Sequence, residues 1–526
     1  YDVGAVKARG GMTFTAVSVT TGDLTGWGRM FVLTIGTTDY MVACTQSTAS
    51  GITGHQLPGY STDGTTWTLM AYNTGTVSTT NGSAVVTGSG TAWTTHLRAN
   101  DLFRVDAQTQ FRQISTVDSD TQITLTGNYL TTNAAGSAYS VYPRFSAGIG
   151  NGTSFEAMNS LIYMCDGVRR PGNWNGTVFA TTTAFPLSYF IKAFNNYMFA
   201  ANSTANPTRV FWSTLATPET WPASNFVDVN PDDGQIITGL FNDGQSILII
   251  KKRSIYRLSG NIFDPASPTY ILTKLFTPPE CVFNSAASWA LFNGVWYLWG
   301  GSGIYVYDGG NTITRLPSSD RLLGTFNSSV WATATFNTLE SAEGGQQAIT
   351  LNGKLWMFST GFGGTGPVLI IERNGSFWLQ NTARRIWSPV IFPSGNNYNN
   401  LWGLSHRTSD DVFGVVLMDQ AATTEAISAS FTTRVFEYKN KQRFGLAYLH
   451  FRRRSTGTIT FGYAIDEGTT VNVTVDITLG VGNRVKSIPI MIGSIGQSIQ
   501  FIISHDSDGE DFEIYGIEFN HQDLRQ

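Results

Sequence analysis

The groups best equipped to do chemistry in this chain are few and scattered. The oxygen-rich run Asp506-Ser-Asp508-Gly-Glu510-Asp511 has the Gly-turned look of a calcium loop. It lacks the EF-hand spacing and the terminal bidentate glutamate, so it reads as a solvated acidic hairpin. Six histidines (His55, His96, His406, His450, His505, His521) stand singly. No G-x-S-x-G or H-E-x-x-H pattern is present to activate a nucleophile or hold zinc. Asp228, Asp232 and Asp233 flank Asn230-Pro231, where turn chemistry accounts for them. A glycosidase needs two carboxylates across one pocket, and no acid pair stands out from the turns. His96 and Asp101 have no partner pattern and read as surface residues. Cys44, Cys165 and Cys281 are too far apart for a disulfide-dense scaffold or a CxxC site and read as small buried hydrophobes. No metal or cofactor is expected.

Two basic clusters remain as site candidates. The first is Lys251, Lys252 and Arg253, which follows an apolar strand and reads as a cap that deters edge-to-edge pairing. The second is Lys439, Lys441 and Arg443 with Arg452, Arg453 and Arg454, a candidate subunit contact or DNA-backbone contact. The net charge of −4 argues against a dedicated nucleic-acid domain. Only 13% of residues are charged, about half the usual share, while aromatics make up 13% and glycine contributes 55 residues. Many short strands with uncharged polar exteriors fit this composition, and such exteriors suit burial between copies because interface charges cost desolvation. No run approaches the ~20 apolar residues of a membrane helix.

The elements that would position any site are strands. Asp233–Asn261 contains two apolar strands, 236–241 and 246–251, around the turn Asn242-Asp243-Gly244, with a third strand over 254–258. The unbroken apolar core of Ser246-Ile-Leu-Ile-Ile250 predicts a strand covered on both faces. Similar units turn near Asn159, Asn196, Asp243, Asn293 and Asn352, at separations of 37, 47, 50 and 59 residues. A weaker copy spans 399–419. Four-stranded propeller blades need about 40–50 residues each. The expected fold is therefore all-β: a β-propeller with an inserted small β-barrel or sandwich and a C-terminal β-sandwich. Residues 1–73 would supply the first propeller strands, 74–144 the inserted domain, 145–425 the blades, and 426–526 the sandwich. The last region reads as seven alternating strands, one or more of which could close the ring. Within the first region, Tyr60-Ser-Thr-Asp-Gly-Thr-Thr-Trp67 resembles the Asp-box turn of sialidase-type propellers, one residue short and in a single copy. Such a turn is structural, not catalytic.

A more specific resemblance lies in Arg209-Val-Phe-Trp-Ser213, Pro218-Glu-Thr-Trp221, Lys251-Lys-Arg-Ser-Ile-Tyr256 and Gly303-Ile-Tyr-Val-Tyr-Asp-Gly309. Their order resembles the β-propeller of tailed-bacteriophage tail proteins, chiefly the nozzle (tail tubular protein B) and related tail-hub proteins. The match covers 150–320 and thins beyond it. It implies a structural, non-enzymatic virion protein that assembles with itself as a ring, often hexameric. Its partners would be portal or adaptor proteins and tail-fibre or needle proteins, with double-stranded DNA passing transiently. Alternatives are a carbohydrate-binding or sialidase-like propeller acting in receptor recognition, and another virion connector, stopper or fibre-adaptor protein with the same propeller.

Overall fold

The computed structural model describes residues 6–7, 11–16, 18–19, 22–23, 30–46, 56–131, 133–145, 153–261, 269–278, 289–300, 303–316, 347–358, 368–373, 377–380, 385–394, 397–407, 412–420, 429–433, 435–453, 458–476, 486–505 and 512–524. Two compact units separate. One comprises Tyr1–Thr15, Leu379–Ala383 and Val416–Gln526; the other comprises Ala16–Trp378 and Arg384–Val415. Nearly all regular structure is antiparallel sheet.

Seven four-stranded sheets follow one another along the chain, six of them paired wholly in strand order. Their first strands are Met30–Ile35, Ser154–Met158, Ser188–Phe194, Ile237–Asn242, Trp289–Phe292, Gln347–Leu351 and Arg385–Ser394. The turns into the second strands explain the repeat. Asn159 and Ser160 have φ of 54° and 58°, Asn195 and Asn196 48° and 61°, Asn293 and Gly294 52° and 80°, and Asn352 and Gly353 52° and 71°. Paired positive φ values define the type I′ hairpin, which Asn and Gly tolerate best and which matches strand twist. In the seventh sheet, the unit expected over 399–419 is the second and third strands, Asn397–Arg407 and Val412–Gln420. Its first strand is Arg385–Ser394, and its fourth position is taken by the N-terminal Gly11–Ala16.

The first strands neighbour one another in cyclic order, the seventh lying beside the first. Between the fourth and fifth, Phe241 meets Trp289 with ring centroids 4.7 Å apart. One cavity is lined from all seven. A propeller requires both of these features.

Side-chain alternation glues the sheets. The strand Ile247–Lys251 is buried throughout. Ile247 and Ile249 pack with Phe199, Val210 and Trp212 of the third sheet. Leu248 and Ile250 pack with Trp289, Leu298 and Tyr305 of the fifth. Period-2 alternation therefore shows in the identity of the neighbour rather than in hydrophobicity.

Strands within 76–142 form a separate seven-stranded sheet with one short helix, Trp93–His96. Its core holds Trp93, Phe103, Tyr129 and Tyr139. The C-terminal region differs from its expected seven short strands. The segments expected over 436–438 and 443–453 are one strand, Phe436–Arg453, and those over 484–490 and 498–504 are one strand, Lys486–His505. The pairing of these two strands shifts register between Glu437 and Gln442 and between Phe444 and Leu446. Such irregularities bend strands. The first half of Lys486–His505 pairs with Phe436–Arg453 and its second half with Thr458–Ile465. The sheet thus encloses a single core that includes Phe444, Phe461, Phe501 and Ile514.

Candidate functional site

The cavity shared by the seven first strands has a volume of ≈ 280 Å³. Phe31, Phe155, Phe190, Phe241 and Trp289 supply most of its walls, and its polar lining is Ser154, Glu156, Lys192 and Gln347. Register places the charges: Glu156 sits mid-strand in the second sheet and Lys192 mid-strand in the third. Lys192 Nζ donates to Glu156 Oε2 at 2.7 Å, with side-chain exposures of 32% and 11%. This short charge-assisted bond ties adjacent sheets together. Trp289 is 5% exposed, and its indole N–H has no acceptor. Further ties run from Asn159 to the Ala216 carbonyl at 3.0 Å and from Thr350 to the Leu291 carbonyl at 2.7 Å.

This lumen can hold a small molecule. Its described lining offers one carboxylate, paired with a lysine, where glycoside hydrolysis uses two. Glu156 and Lys192 were not singled out from the sequence. A usable signal existed: Glu156 and Lys192 each interrupt an otherwise apolar or small-residue strand.

The basic candidates behave differently from one another. Lys251 is not an edge cap or surface contact. Its side chain is 0% exposed, and Nζ donates to Asp233 Oδ1 at 2.8 Å and to the Asn230 carbonyl at 2.9 Å. The apolar packing on either side of its strand draws it inward, and an acid must follow it there. Although its partial burial works the other way, the Lys251 hydrogen bond holds the Asp233 carboxyl below its usual range. Asp233 also accepts from the Gln235 amide, and Asp228 makes a two-pronged bond to Arg209, both arms 2.7 Å. Asp233 thus combines turn chemistry with an ion pair, whereas Asp228 is an ion-pair residue. Lys252 and Arg253 are exposed, as are Lys439, Lys441 and Arg443. The latter three alternate along Phe436–Arg453. Arg452 and Arg453 belong to that strand, whereas Arg454, Cys281, His55 and the acidic run 506–511 lie outside the described residues.

Asp101 is not a surface residue, and His96 is half-buried. Asp101 is 1% exposed and binds Arg98 at 3.2 Å. His96 stacks on Tyr72 at 4.6 Å and bonds the Phe179 carbonyl at 2.7 Å. Cys44 and Cys165 are buried and free; burial pushes the Cys44 thiol up to about 12. Among the described residues no group of three or more His, Cys, Asp or Glu could hold a metal, and no helix is long and apolar enough to cross a membrane.

The turn at Asp63 does form. Asp63 Oδ1 accepts the amides of Thr65 and Thr66 at 2.7 and 2.6 Å, and Ser61 Oγ accepts that of Gly64 at 2.8 Å. Desolvation raises the Asp63 carboxyl, but these amides outweigh it and bring it down to about 2. Trp67 is buried just beyond.

The residues that carry the tail-protein resemblance are packing devices. Arg209 lies 3.8 Å over the Phe226 ring. Ser213 Oγ accepts the Met198 amide, and Trp221 donates to the Pro218 carbonyl at 2.7 Å while packing on Phe185. Tyr256 accepts from Asn230 at 3.2 Å, and Tyr307 of the fifth sheet donates to Asp243 of the fourth at 3.1 Å.

No protein-family model matches the chain, and no curated protein matches it. Among solved structures, a computationally designed protein, Ika8, is 8% identical with a TM-score of 0.32, covering 77% of this chain and 99% of its own. Trypanosoma rangeli sialidase is 7% identical with a TM-score of 0.30, covering 99% and 96%. An exo-β-1,3-galactanase from Phanerochaete chrysosporium is 11% identical with a TM-score of 0.18, covering 98% and 100%. None of these three is described as a virion protein, and at such scores they carry no argument about what this chain does.

Proposed function

We propose that the seven sheets are the blades of a propeller serving as an assembly scaffold, in a bacteriophage tail nozzle or tail hub, and not as an enzyme. One observation carries this reading: the residues of the family-like motifs, Arg209, Ser213, Trp221, Lys251, Tyr256 and Tyr307, are all spent on internal bonds, within a sheet, to an adjoining turn or, for Tyr307, between the fifth and fourth sheets. The central lumen supports it. At ≈ 280 Å³ it is at the small end of ligand pockets and far too narrow for a DNA duplex. In a tail, a genome conduit would therefore run between copies of the chain, bounded by their outer surfaces. The exposed Lys439, Lys441 and Arg443 are candidates for contacts between copies or with the DNA backbone.

The test is the mass of the purified full chain in solution together with imaging of any particle that contains it. A closed ring on a tail axis is the expected result. A monomer that hydrolyses a saccharide would overturn the reading. A second reading, saccharide binding without hydrolysis, is favoured by the aromatic walls of the lumen. Glycan-array binding lost in Trp289→Phe would support it.

A further inference from the structure

A partly buried cluster of mixed charge lies away from the lumen. It forms where the inserted sheet rejoins the second sheet, and it includes Arg98, Asp101, Arg144, Asp166 and Arg169. Arg98 is well satisfied. Its guanidinium bonds Asp101, donates to the Arg144 carbonyl at 2.9 Å and to the Arg170 carbonyl, and lies 4.6 Å over the Phe145 ring. Arg169 donates to that same Arg144 carbonyl at 3.2 Å. One oxygen therefore holds two guanidiniums side by side. Asp101 accepts the Arg144 amide at 3.0 Å, and Asp166 accepts the Val168 and Arg169 amides at 2.9 and 2.7 Å.

The described charges do not balance: three guanidiniums face two carboxylates. The Nε–H groups of Arg144 and Arg169 are both buried, and neither has an acceptor. Buried guanidinium donors are ordinarily paired, and their fork geometry suits carboxylate and phosphate oxygens. Both residues are only half-buried. Burial and the neighbouring Arg169 charge lower Arg144 to about 10, as expected of cations short of counter-charge. We propose that Arg144 and Arg169 form an oxyanion site, taking a phosphate or carboxylate group that completes the junction of the inserted sheet with the second sheet. The proposal is independent of the scaffold reading.

The site predicts anion-dependent stability. All 14 tryptophans precede residue 403, so their fluorescence reports unfolding of the unit that contains this junction. Inorganic phosphate, or acetate in a parallel arm, is titrated into the full chain against sodium chloride at equal ionic strength. A saturable rise in Tm of about 2 °C or more is expected in the arm whose anion fits, and the response should vanish in Arg144→Gln/Arg169→Gln. Phosphate responding alone assigns a phosphate site; acetate responding alone assigns a carboxylate site. No rise beyond chloride in either arm, or an equal rise in the double variant, overturns the proposal. Should that variant fail to fold, calorimetric titration of the unaltered chain decides, and absence of saturable heat with both anions is then the negative result.

Discussion

Two strands of this molecule show how one β code serves two architectures. Ile247–Lys251 has a different sheet on each face, so five consecutive residues are buried and even its lysine is enclosed. Lys486–His505 belongs to a sheet bent around its own core. Ile490, Ile492, Ile499, Phe501 and Ile503 face inward, while Met491 and Ile495 are 69% and 52% exposed. In the stacked sheets a polar residue must bring its partner indoors. In the bent sheet every second residue is free to be polar, and the apolar ones left outside tolerate change.

The largest expected effect sharpens this contrast. Ile249→Ala should cost about 2–5 kcal/mol, as a fully buried large-to-small change, whereas Met491→Ala should stay within about 0.5 kcal/mol. Denaturant titrations followed by tryptophan emission for the first and by far-UV circular dichroism for the second would check both. Equal effects would erase the distinction.

Removing one partner of the enclosed ion pair comes next. Asp233→Asn leaves Lys251 buried with little compensation and should cost about 3 kcal/mol. Lys251→Met should cost less, because Asp233 keeps its Gln235 amide and some exposure. The reverse order in thermal melts would show that packing, not charge, governs this strand.

Gly64→Ala tests how tightly the first and seventh sheets approach. Gly64 has φ of +80°, and an added Cβ would meet the Trp402 ring at 2.7 Å. Strain and overpacking together should cost about 1–3 kcal/mol.

The smallest effect is in pH. The Asp63 carboxyl, at about 2, sits below the ordinary aspartate value of 3.8. Its contribution is therefore present above about pH 4 and is lost as pH falls through about 2. Because Asp63 is exposed, the loss should be well under about 1 kcal/mol. Asp63→Asn should flatten the acid limb of the stability curve between those values without changing its shape near neutrality.

How much of this was legible beforehand depends on how local each cause is. Asn159, Asn196, Asn293 and Asn352 announced their turns because positive φ is a property of a residue and its immediate neighbours. The two long C-terminal strands were read as four because Lys439-Asn440-Lys441 and Gly493 through Gly496 look like breaks. Only their pairing partners turn those breaks into bends. Asp101 was read as a surface acid because nothing nearby in sequence reveals Arg144, 43 residues on, donating its amide to it.

By itself, the sequence determined the all-β class, the four-strand repeat and its turns, and the doubly covered strand at Ile247–Lys251, because each follows from local φ preference and the apolar pattern. Tertiary structure alone decided that the first strands neighbour one another in a cycle around a lumen, that Glu156 meets Lys192 there, and that Lys251 and Asp101 are spent on internal pairs. Those outcomes depend on which distant segments stack together, and burial of a charge is settled only when its partner arrives.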